Sequence, residues 1–443
     1  MKTSPDRFPS NRSDKLMGAF DQLGEMMIQM QLEFEHSLDV DRLARAVDLA
    51  MDAEPVLGCR YVGGHFRSFW KRLPAEERDS FSVVSDKSEL DRFIQTRLDH
   101  EAGPQLRVCL LQQASGDRLA FKISHLAGDS AGLKDAIAVV ASIYRTLSED
   151  PDYLPVPNVD GSRELSQVTQ KVPISALPQI WRNARQEGRS KSKPRLTHAF
   201  RLINESGEVV RTDTPVFLTR HLTASQVSGM TSLGRDCGAK INDVVIAAFL
   251  RALYKAVPRP EGAQLRLQTT VDLRRWYLPD GKSGGICNLS FFEYPNLGED
   301  PGADFRTTLE RVAQFTQARK ASWIGMSSFL GEMGLLMLVP RRILNYFFRR
   351  VALDDNSRNL LTNMGPIDAD SVTFDHPPSY SFMLVPPLYV PALGFGMSGY
   401  DGRLTFSTAV PEEFVPAADR FLDTLVAELD AGIAAMQLTP AVS

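Results

Sequence analysis

Two alternating segments joined by a four-residue loop constrain the fold of this chain more than any other feature of its sequence. Residues 106–113, LRVCLLQQ, and 118–125, RLAFKISH, both have the alternation of β-strands. Parallel neighbours need a crossover of about a dozen residues or more, so these two strands are predicted to pair antiparallel. After GDSAG, apolar residues recur at helical spacing and predict a helix that runs to about Leu147.

The junction between the second strand and this helix, HLAGDSAG, contains two catalytic patterns at once. Residues 128–132 match G-x-S-x-G, which would make Ser130 the nucleophile of a serine hydrolase. Residues 125–129 form H-x-x-x-D, in which His125 would be a base. The strand before a hydrolase serine is parallel and apolar on both faces, whereas this strand alternates and carries Lys122. We therefore predict that the histidine is the catalyst, although on the residues alone it also fits a histidine of the core.

Length and composition bound the architecture and the class of partner. With 443 residues, 43% hydrophobic and 23% charged, the chain is an ordinary globular protein large enough for two subdomains. The net charge of −4 gives no sign of a nucleic-acid partner. The four cysteines are widely spaced and expected to be reduced, and the polar N-terminus lacks a signal peptide, so a cytoplasmic protein is expected. No apolar run is long enough to span a membrane.

The second half of the chain restarts the plan of the first. An N-terminal subdomain is predicted over 1–165 and a C-terminal subdomain over 214–443, with a proline-rich, basic crossover linker over 166–213. NDVVIAAFLRALYKAV is apolar almost all round and predicts a central, buried helix. Strands are predicted at TPVFLTRHL, LRLQTTVDL, ICNLSFFEYP and RLTFSTAV, and a turn at TNMGP.

Several of these segments resemble, in order, those of the superfamily of condensation domains and CoA-dependent acyltransferases. KISHLAGDSAGLKDAIAVVASIY is similar to the active-site segment with the pattern H-H-x-x-x-D-G, with Ser124 at the first histidine and Ser130 at the glycine. LDVDRLARAVDLAMDAEPVLGCRY, INDVVIAAFLRALYKA, TTVDLRRWY, CNLSFF and TNMGPI are similar to the other typical segments. The resemblance implies a stand-alone member with the chloramphenicol acetyltransferase-like α/β fold, in which two subdomains form a V-shaped cleft with a central tunnel.

The resemblance also implies a role for the residues of the H-x-x-x-D pattern. His125 would be the general base that takes a proton from an attacking hydroxyl or amine. Asp129 would turn away from the cavity and pair with Arg274, or failing that with Arg275. Asp272 and Arg274 are two residues apart and are expected on one face of the strand VDLR. The alternative for Asp129 is a plain helix cap.

The other candidate residues have a structural alternative too. Ser130 is expected to be a helix N-cap or turn residue. Asn288 and Ser290 are candidates for the tunnel wall or for donors to a tetrahedral oxyanion, with a strand-end asparagine as the alternative. No metal is implied and no bound cofactor, because the acyl group would arrive as acyl-CoA or as a phosphopantetheinyl thioester.

The predicted function is transfer of an acyl group from a CoA or carrier-protein thioester to a hydroxyl or amine of a small molecule, in secondary or lipid metabolism. The alternative is a non-catalytic condensation-like module that binds a carrier protein or an acyl ligand. A serine esterase that uses Ser130 is the third hypothesis.

Two further segments have open interpretations. A basic cluster in the predicted linker is either a solvated linker or a contact for the donor's phosphates or a carrier protein. It consists of Arg182, Arg185, Arg189, Lys191, Lys193 and Arg195. Residues 331–352, GEMGLLMLVPRRILNYFFRRVA, are interpreted as a tunnel-covering helix pair broken at Pro340. The alternative is an interfacial segment in peripheral contact with a membrane.

Overall fold

The computed structural model describes most of the chain, namely residues 5–64, 67–191, 214–257, 259, 261–330, 336, 338–352, 359–388 and 394–437. The helices in this part are α1 Arg12–Phe20, α2 Val40–Ala53, α3 Lys87–Gln95, α4 Ser130–Glu149, α5 Ser166–Thr169, α6 Leu177–Lys191, α7 Ala224–Asp236, α8 Ile241–Ala256, α9 Arg274–Tyr277, α10 Phe305–Lys320, α11 Met326–Ser328, α12 Arg341–Ala352 and α13 Val415–Gln437. No helix among the described residues is both long and apolar enough to cross a membrane.

The strands form three sheets. They are β1 Arg7–Pro9, β2 Met27–Glu33, β3 Cys59–Val62, β4 Phe69–Arg72, β5 Phe81–Val84, β6 Leu106–Leu111, β7 Arg118–Ser124, β8 Val216–Leu222, β9 Gln268–Asp272, β10 Ser290–Glu293, β11 Leu360–Pro366, β12 Tyr380–Leu384, β13 Gly394–Tyr400 and β14 Arg403–Val410. The N-terminal sheet has the order β12-β2-β7-β6-β5 and the C-terminal sheet the order β10-β9-β11-β13-β14-β8, beside a small sheet β1-β4-β3.

The pairing of β6 with β7 is antiparallel, as the short loop predicts, with Leu106 opposite Ile123 and Leu111 opposite Arg118. The edge strand β12 comes from the second half of the chain and pairs antiparallel with β2. The stretch predicted as the C-terminal subdomain, 214–443, therefore contributes one strand to the N-terminal sheet.

β7 is buried on both faces, contrary to the argument drawn from Lys122. The Lys122 side chain is only 2% exposed, and its ammonium donates to the carbonyl oxygens of Phe93 and Thr96 beside α3. Burial lowers the pKa of this lysine to about 7. A lysine in an alternating strand does not require contact with water when carbonyl groups of a covering segment accept hydrogen bonds from its ammonium group. The antiparallel pairing, rather than the lysine, is what distinguishes β7 from the strand of a serine hydrolase.

α2 and α8 illustrate how the sequence determines a helix cap and helix burial. Asp39 caps α2 through a hydrogen bond from the backbone N–H of Arg42. α8 is buried from Asp243 to Leu253 apart from Arg251 and forms the centre of the C-terminal core. The predicted linker is partly helical, since α5 and α6 lie in it, and residues 192–213 lie outside the described part.

Two short motifs differ from their predicted conformation. TNMGP is a bulged part of β11 rather than a turn, because the register shifts between Asn363 and Gly365, and Gly365 has a φ of 77°. Arg274 begins the one-turn helix α9 directly after β9, instead of lying on the strand with Asp272.

Candidate active site

His125 follows the last residue of β7 and is held by the neighbouring strand. Its backbone N–H donates to the carbonyl oxygen of Met26, 2.8 Å away, immediately before β2. Alternation along β7 places Ile123 in the core between sheet and helices, and the half-buried His125 ring lies at the edge of that layer, in the wall of a cavity.

The cavity lies between the two halves of the chain and encloses about 1140 Å³, its open mouth included. α1 and β2 contribute to one wall, and β9, β10 and β11 to the other. Most of the lining is apolar: Met17, Phe20, Leu23, Met26, Ile28, Phe292, Leu360, Met364, Val385, Pro386 and Leu388. The polar lining residues are His125, Ser130, Gln268, Thr270, Asn288, Ser290 and Thr362. Such a site accepts a largely apolar molecule whose polar part lies near the histidine.

The side chain of Asn288 determines the tautomer of His125. Its amide N–H₂ group donates to the carbonyl oxygens of His125 and Leu126, at 2.9 and 3.2 Å. This leaves the Asn288 carbonyl oxygen 3.0 Å from Nδ1 of the imidazole, so Nδ1 carries the proton and donates. The lone pair of the neutral ring is then on Nε2, which is the atom available to a bound molecule.

Burial lowers the pKa of His125, because the charged imidazolium would lose hydration there; the charge of Asp129 opposes this shift only in part. The imidazole is therefore neutral, and able to accept a proton, at neutral pH and somewhat below it.

Asp129 is both the cap of α4 and an ion-pair partner, so the two alternatives from the sequence are both present. One carboxylate oxygen accepts from the N–H of Gly132 at 3.1 Å and makes Asp129, not Ser130, the N-cap. The other oxygen is 2.8 Å from Nη1 of Arg274. Burial alone would raise the pKa of this carboxyl, but the guanidinium and the hydrogen bonds outweigh it and lower the pKa. Asp129 thus remains ionised, and its two oxygens bind Gly132 and Arg274.

Arg274 connects this carboxylate to the segment that precedes β10. The side chain is 1% exposed, and its Nη2 donates to the carbonyl oxygen of Cys287 at 2.7 Å. Its Nε donates to the hydroxyl of Ser283 at 3.1 Å, and Nη1 is also 3.2 Å from Asp272. The predicted partner is therefore present, and the fallback partner Arg275 is not used.

Neither Asn288 nor Ser290 has a proton left for an oxyanion in this arrangement. The amide protons of Asn288 bind two backbone carbonyls, and the hydroxyl of Ser290 donates to Asp129 at 2.9 Å. Both residues line the cavity. The structure assigns Asn288 the role of positioning His125, a role that the sequence alone does not predict.

The glycines of the G-x-S-x-G pattern have a packing explanation. A Cβ atom on Gly128 would lie 2.9 Å from the side chain of Ile286, and one on Gly132 would lie 3.2 Å from it. Both glycines let the segment before β10 approach the start of α4. Ser130 is the first residue of α4, and among the described residues only Trp323 and Asp401 are non-glycine residues with positive φ. The strained turn of a nucleophile elbow is therefore absent at Ser130.

Arg163 also holds the loop after His125, and the sequence alone does not predict this contact. It pairs with both carboxylate oxygens of Asp14, at 2.9 and 3.1 Å. It donates in addition to the carbonyl oxygens of Ala127 and Ile286, at 3.0 and 2.6 Å. Because no motif surrounds Arg163 and its partners are distant in sequence, only the three-dimensional fold identifies this contact.

A second, polar cavity of about 820 Å³ adjoins the first. The two share Ser130, Thr270, Ser290 and Met364. Its lining includes the cationic side chains of Lys134, Arg275 and Lys320 and a single carboxylate, Asp272, which is paired with Arg274 and Arg275. The positive excess makes this second cavity suitable for an anionic group.

The basic cluster, interpreted from the sequence as a solvated linker or as a contact for the donor or a carrier protein, is only partly described. Arg182, Arg185 and Arg189 are exposed on α6, and none of the three lines either cavity beside His125. The side chain of Lys191, and all of Lys193 and Arg195, lie outside the described residues.

The segment 331–352 contains one described helix, α12, which begins directly after Pro340. Most of the first part of the predicted helix pair lies outside the described residues. α12 packs on α1, with the rings of Phe348 and Phe20 4.8 Å apart in an edge-to-face contact. Because Phe20 lines the apolar cavity, α12 covers one wall of that cavity from outside.

The fold is shared with solved acyltransferase and condensation-domain structures at low sequence identity. A trichothecene 15-O-acetyltransferase from Fusarium sporotrichioides superposes with a TM-score of 0.70 at 12% identity, over 96% of this chain and 95% of that chain. Polyketide synthase associated protein 5 from Mycobacterium tuberculosis gives a TM-score of 0.63 at 16% identity, over 97% and 98%. The first condensation domain of the calcium-dependent antibiotic synthetase gives 0.66 at 16% identity, also over 97% and 98%. The α/β fold predicted from the resemblance is confirmed over nearly the whole chain. No family model and no curated protein matches the sequence.

Proposed function

We propose that this protein is an acyltransferase in which His125 is the general base. The observation that carries the proposal is the hydrogen bond between Nδ1 of His125 and Asn288, which leaves Nε2 for a ligand in the wall of a cavity between the two halves of the chain. The shared fold with an acetyltransferase and a condensation domain supports the same reaction class.

The proposed reaction needs no covalent intermediate on the protein. Nε2 of His125 takes the proton of a hydroxyl or amine while the oxygen or nitrogen attacks the carbonyl carbon of a thioester. The tetrahedral intermediate collapses as its C–S bond breaks, and the leaving thiolate takes the proton from the imidazolium. The products are an ester or amide and a free thiol, and the imidazole is neutral again.

The two adjoining cavities suit the two ends of such a reaction. The apolar cavity fits an apolar acyl chain or an apolar acceptor. The polar cavity, with Lys134, Arg275 and Lys320, fits the phosphate-bearing arm of CoA or of a phosphopantetheinyl carrier. Ser130, Thr270 and Ser290 lie where the cavities meet, so a thioester that extends through both would place its carbonyl group there.

A product search tests the proposal. The full chain is incubated with acyl-CoA and acyl-pantetheine thioesters of several chain lengths, together with a pool of alcohols and amines. We expect new ester or amide masses and a release of free thiol that requires the acceptor. Thiol release that is independent of any acceptor and accompanied by an acylated protein would instead indicate an esterase. Saturable binding of acyl ligands with no product from any donor would favour the non-catalytic module.

A further inference from the structure

The exposed face of α12 is unusually apolar for a surface helix. Ile343, Tyr346 and Phe347 are 56%, 62% and 42% exposed, and Leu338 in the turn before the helix is 62% exposed. Ile343, Tyr346 and Phe347 are three and four residues apart and therefore project from one side of the helix. The opposite side is anchored in the protein, since Leu344 and Phe348 are buried.

The same exposed side is strongly basic. The sequence of α12, RRILNYFFRRVA, has four arginines and no acidic residue. Arg341 pairs with Glu101, and Arg349 donates to the side-chain oxygen of Gln22. Among the described residues, no carboxylate lies within ion-pair distance of Arg342, Arg349 or Arg350. Within the described part of the chain, these three arginines therefore have no acidic partner, and they lie around the exposed apolar side chains of the helix.

α12 also lies directly outside the apolar cavity. Its Phe348 packs on Phe20 of α1, and both Phe20 and Met17 of α1 line that cavity. The exposed surface of α12 and the apolar cavity are therefore separated by one layer of side chains, through helix α1.

We propose that α12 is a docking surface for an anionic lipid bilayer. Ile343, Tyr346 and Phe347 would enter the boundary between headgroups and acyl chains, and the arginines would contact anionic headgroups. An acidic carrier protein is the competing partner, but its phosphorylated arm matches the polar cavity with Arg275 and Lys320, and no residue of α12 is among the residues that line that cavity. The proposal goes beyond acyl transfer and does not depend on it, because membrane binding is measured without turnover.

Vesicle partitioning of the full chain tests the proposal. We expect co-sedimentation with vesicles of phosphatidylcholine and phosphatidylglycerol, little with phosphatidylcholine alone, and weaker binding as salt is added. The variant Arg342→Gln/Arg349→Gln/Arg350→Gln should lose about a hundredfold in partition coefficient, since each basic residue near an anionic surface is worth roughly a fivefold change. Phe347→Ser keeps every charge and should weaken binding too.

The matched control is the variant Arg182→Gln/Arg185→Gln/Arg189→Gln, which removes three positive charges from the basic helix α6. This variant should bind vesicles as strongly as the parent protein does. All these side chains are exposed, so thermal unfolding should show each variant folded. Equal losses in both triple variants would mean non-specific attraction and would overturn the proposal. Failure of the parent protein to bind anionic vesicles, with protection of 341–350 from hydrogen exchange by an acidic carrier protein, would assign the surface to the carrier instead.

Discussion

One amide group, that of Asn288, determines which nitrogen of His125 can act as a base. It accepts a hydrogen bond from Nδ1 and is itself held by the backbone carbonyls of His125 and Leu126. Many catalytic histidines are oriented by a carboxylate, which stabilises the imidazolium. A neutral amide orients the ring without that charge, and burial lowers the pKa of His125 below its ordinary value.

The direction of this pKa shift predicts the acid limb of the pH–rate profile. Since the neutral imidazole is the active form, kcat/KM should stay high at pH values below the ordinary histidine pKa of about 6.5 and fall only when the lower pKa is reached. The change Asn288→Asp adds a negative charge beside Nδ1, stabilises the imidazolium, and should move the limb to higher pH. The check is kcat/KM of both proteins across the acid range. A parent limb above 6.5, or no movement in Asn288→Asp, would contradict this assignment.

Only part of this environment could be predicted at the residue scale. The H-x-x-x-D pattern and the resemblance led to His125 and to the pair of Asp129 with Arg274. The bond from Asn288 joins residues 163 positions apart, and Arg163 reaches the same loop from outside any motif. A sequence specifies such contacts only through the fold, so local spacing does not reveal them.

At the scale of elements, the start of α4 connects the two halves of the site. One carboxylate oxygen of Asp129 caps the helix, and the other accepts hydrogen bonds from Arg274, Leu289 and Ser290. Gly132 gives the room for the segment before β10 to pack there. The segment between β7 and α4, which begins with His125, is thereby fixed to the opposite half of the chain.

A double-mutant cycle measures the coupling free energy between Asp129 and Arg274. Arg274→Met leaves the buried Asp129 carboxylate without its counter-charge, and Asp129→Asn leaves Arg274 with Asp272 as its acidic partner. Removing one partner of a buried ion pair typically costs about 3–5 kcal/mol, so the loss in Asp129→Asn should be the smaller of the two. The double variant should lose much less than the sum, because the two residues share one interaction. The measurement is the free energy of unfolding of the four proteins in denaturant. Additive losses would mean that the two side chains do not act as a pair.

The elements themselves were largely predictable, and the exceptions have a common cause. β6, β7, α4 and α8 follow the apolar periodicity of their sequences. Lys122 and TNMGP differ from the prediction because tertiary partners determine their environment. Carbonyl oxygens of Phe93 and Thr96 accept hydrogen bonds from the lysine, and pairing with β13 makes TNMGP part of a bulged strand. These partners are distant in sequence, so the local pattern of apolar and polar residues cannot reveal them.

At the scale of the whole molecule, the site exists only because two halves of the chain meet. The apolar and the polar cavity have walls from both halves, and β12 crosses from one half into the sheet of the other. The α/β fold could be predicted from ordered motifs, whereas the division of the interior into an apolar and a cationic cavity could not. That division depends on side chains from five or more separate segments.

The cationic cavity predicts where the donor's phosphate is recognised. Arg275→Ser/Lys320→Ser should raise the donor KM about tenfold or more, with a smaller effect on kcat, because the lost charges bind a part of the donor that does not react. Arg182→Ser/Arg185→Ser removes the same charge from α6 and should leave the donor KM unchanged. The measurement is steady-state kinetics at fixed acceptor and several salt concentrations. A raised donor KM in Arg182→Ser/Arg185→Ser, with an unchanged donor KM in Arg275→Ser/Lys320→Ser, would instead assign recognition of the donor to the basic cluster of the linker.

The central claim is that His125, and not Ser130, performs the chemistry. His125→Ala should lower kcat by about 10²–10⁴ and remain folded, because the loss of a general base has that size. Ser130→Ala should keep most of its turnover, since Asp129 caps α4 and Ser130 has no strained backbone. The most direct measurement is kcat of the parent, His125→Ala and Ser130→Ala for one thioester, with fluorophosphonate labelling of all three. An active His125→Ala beside an inactive, folded Ser130→Ala, with label on Ser130 of the parent, would contradict the account and make the protein a serine esterase.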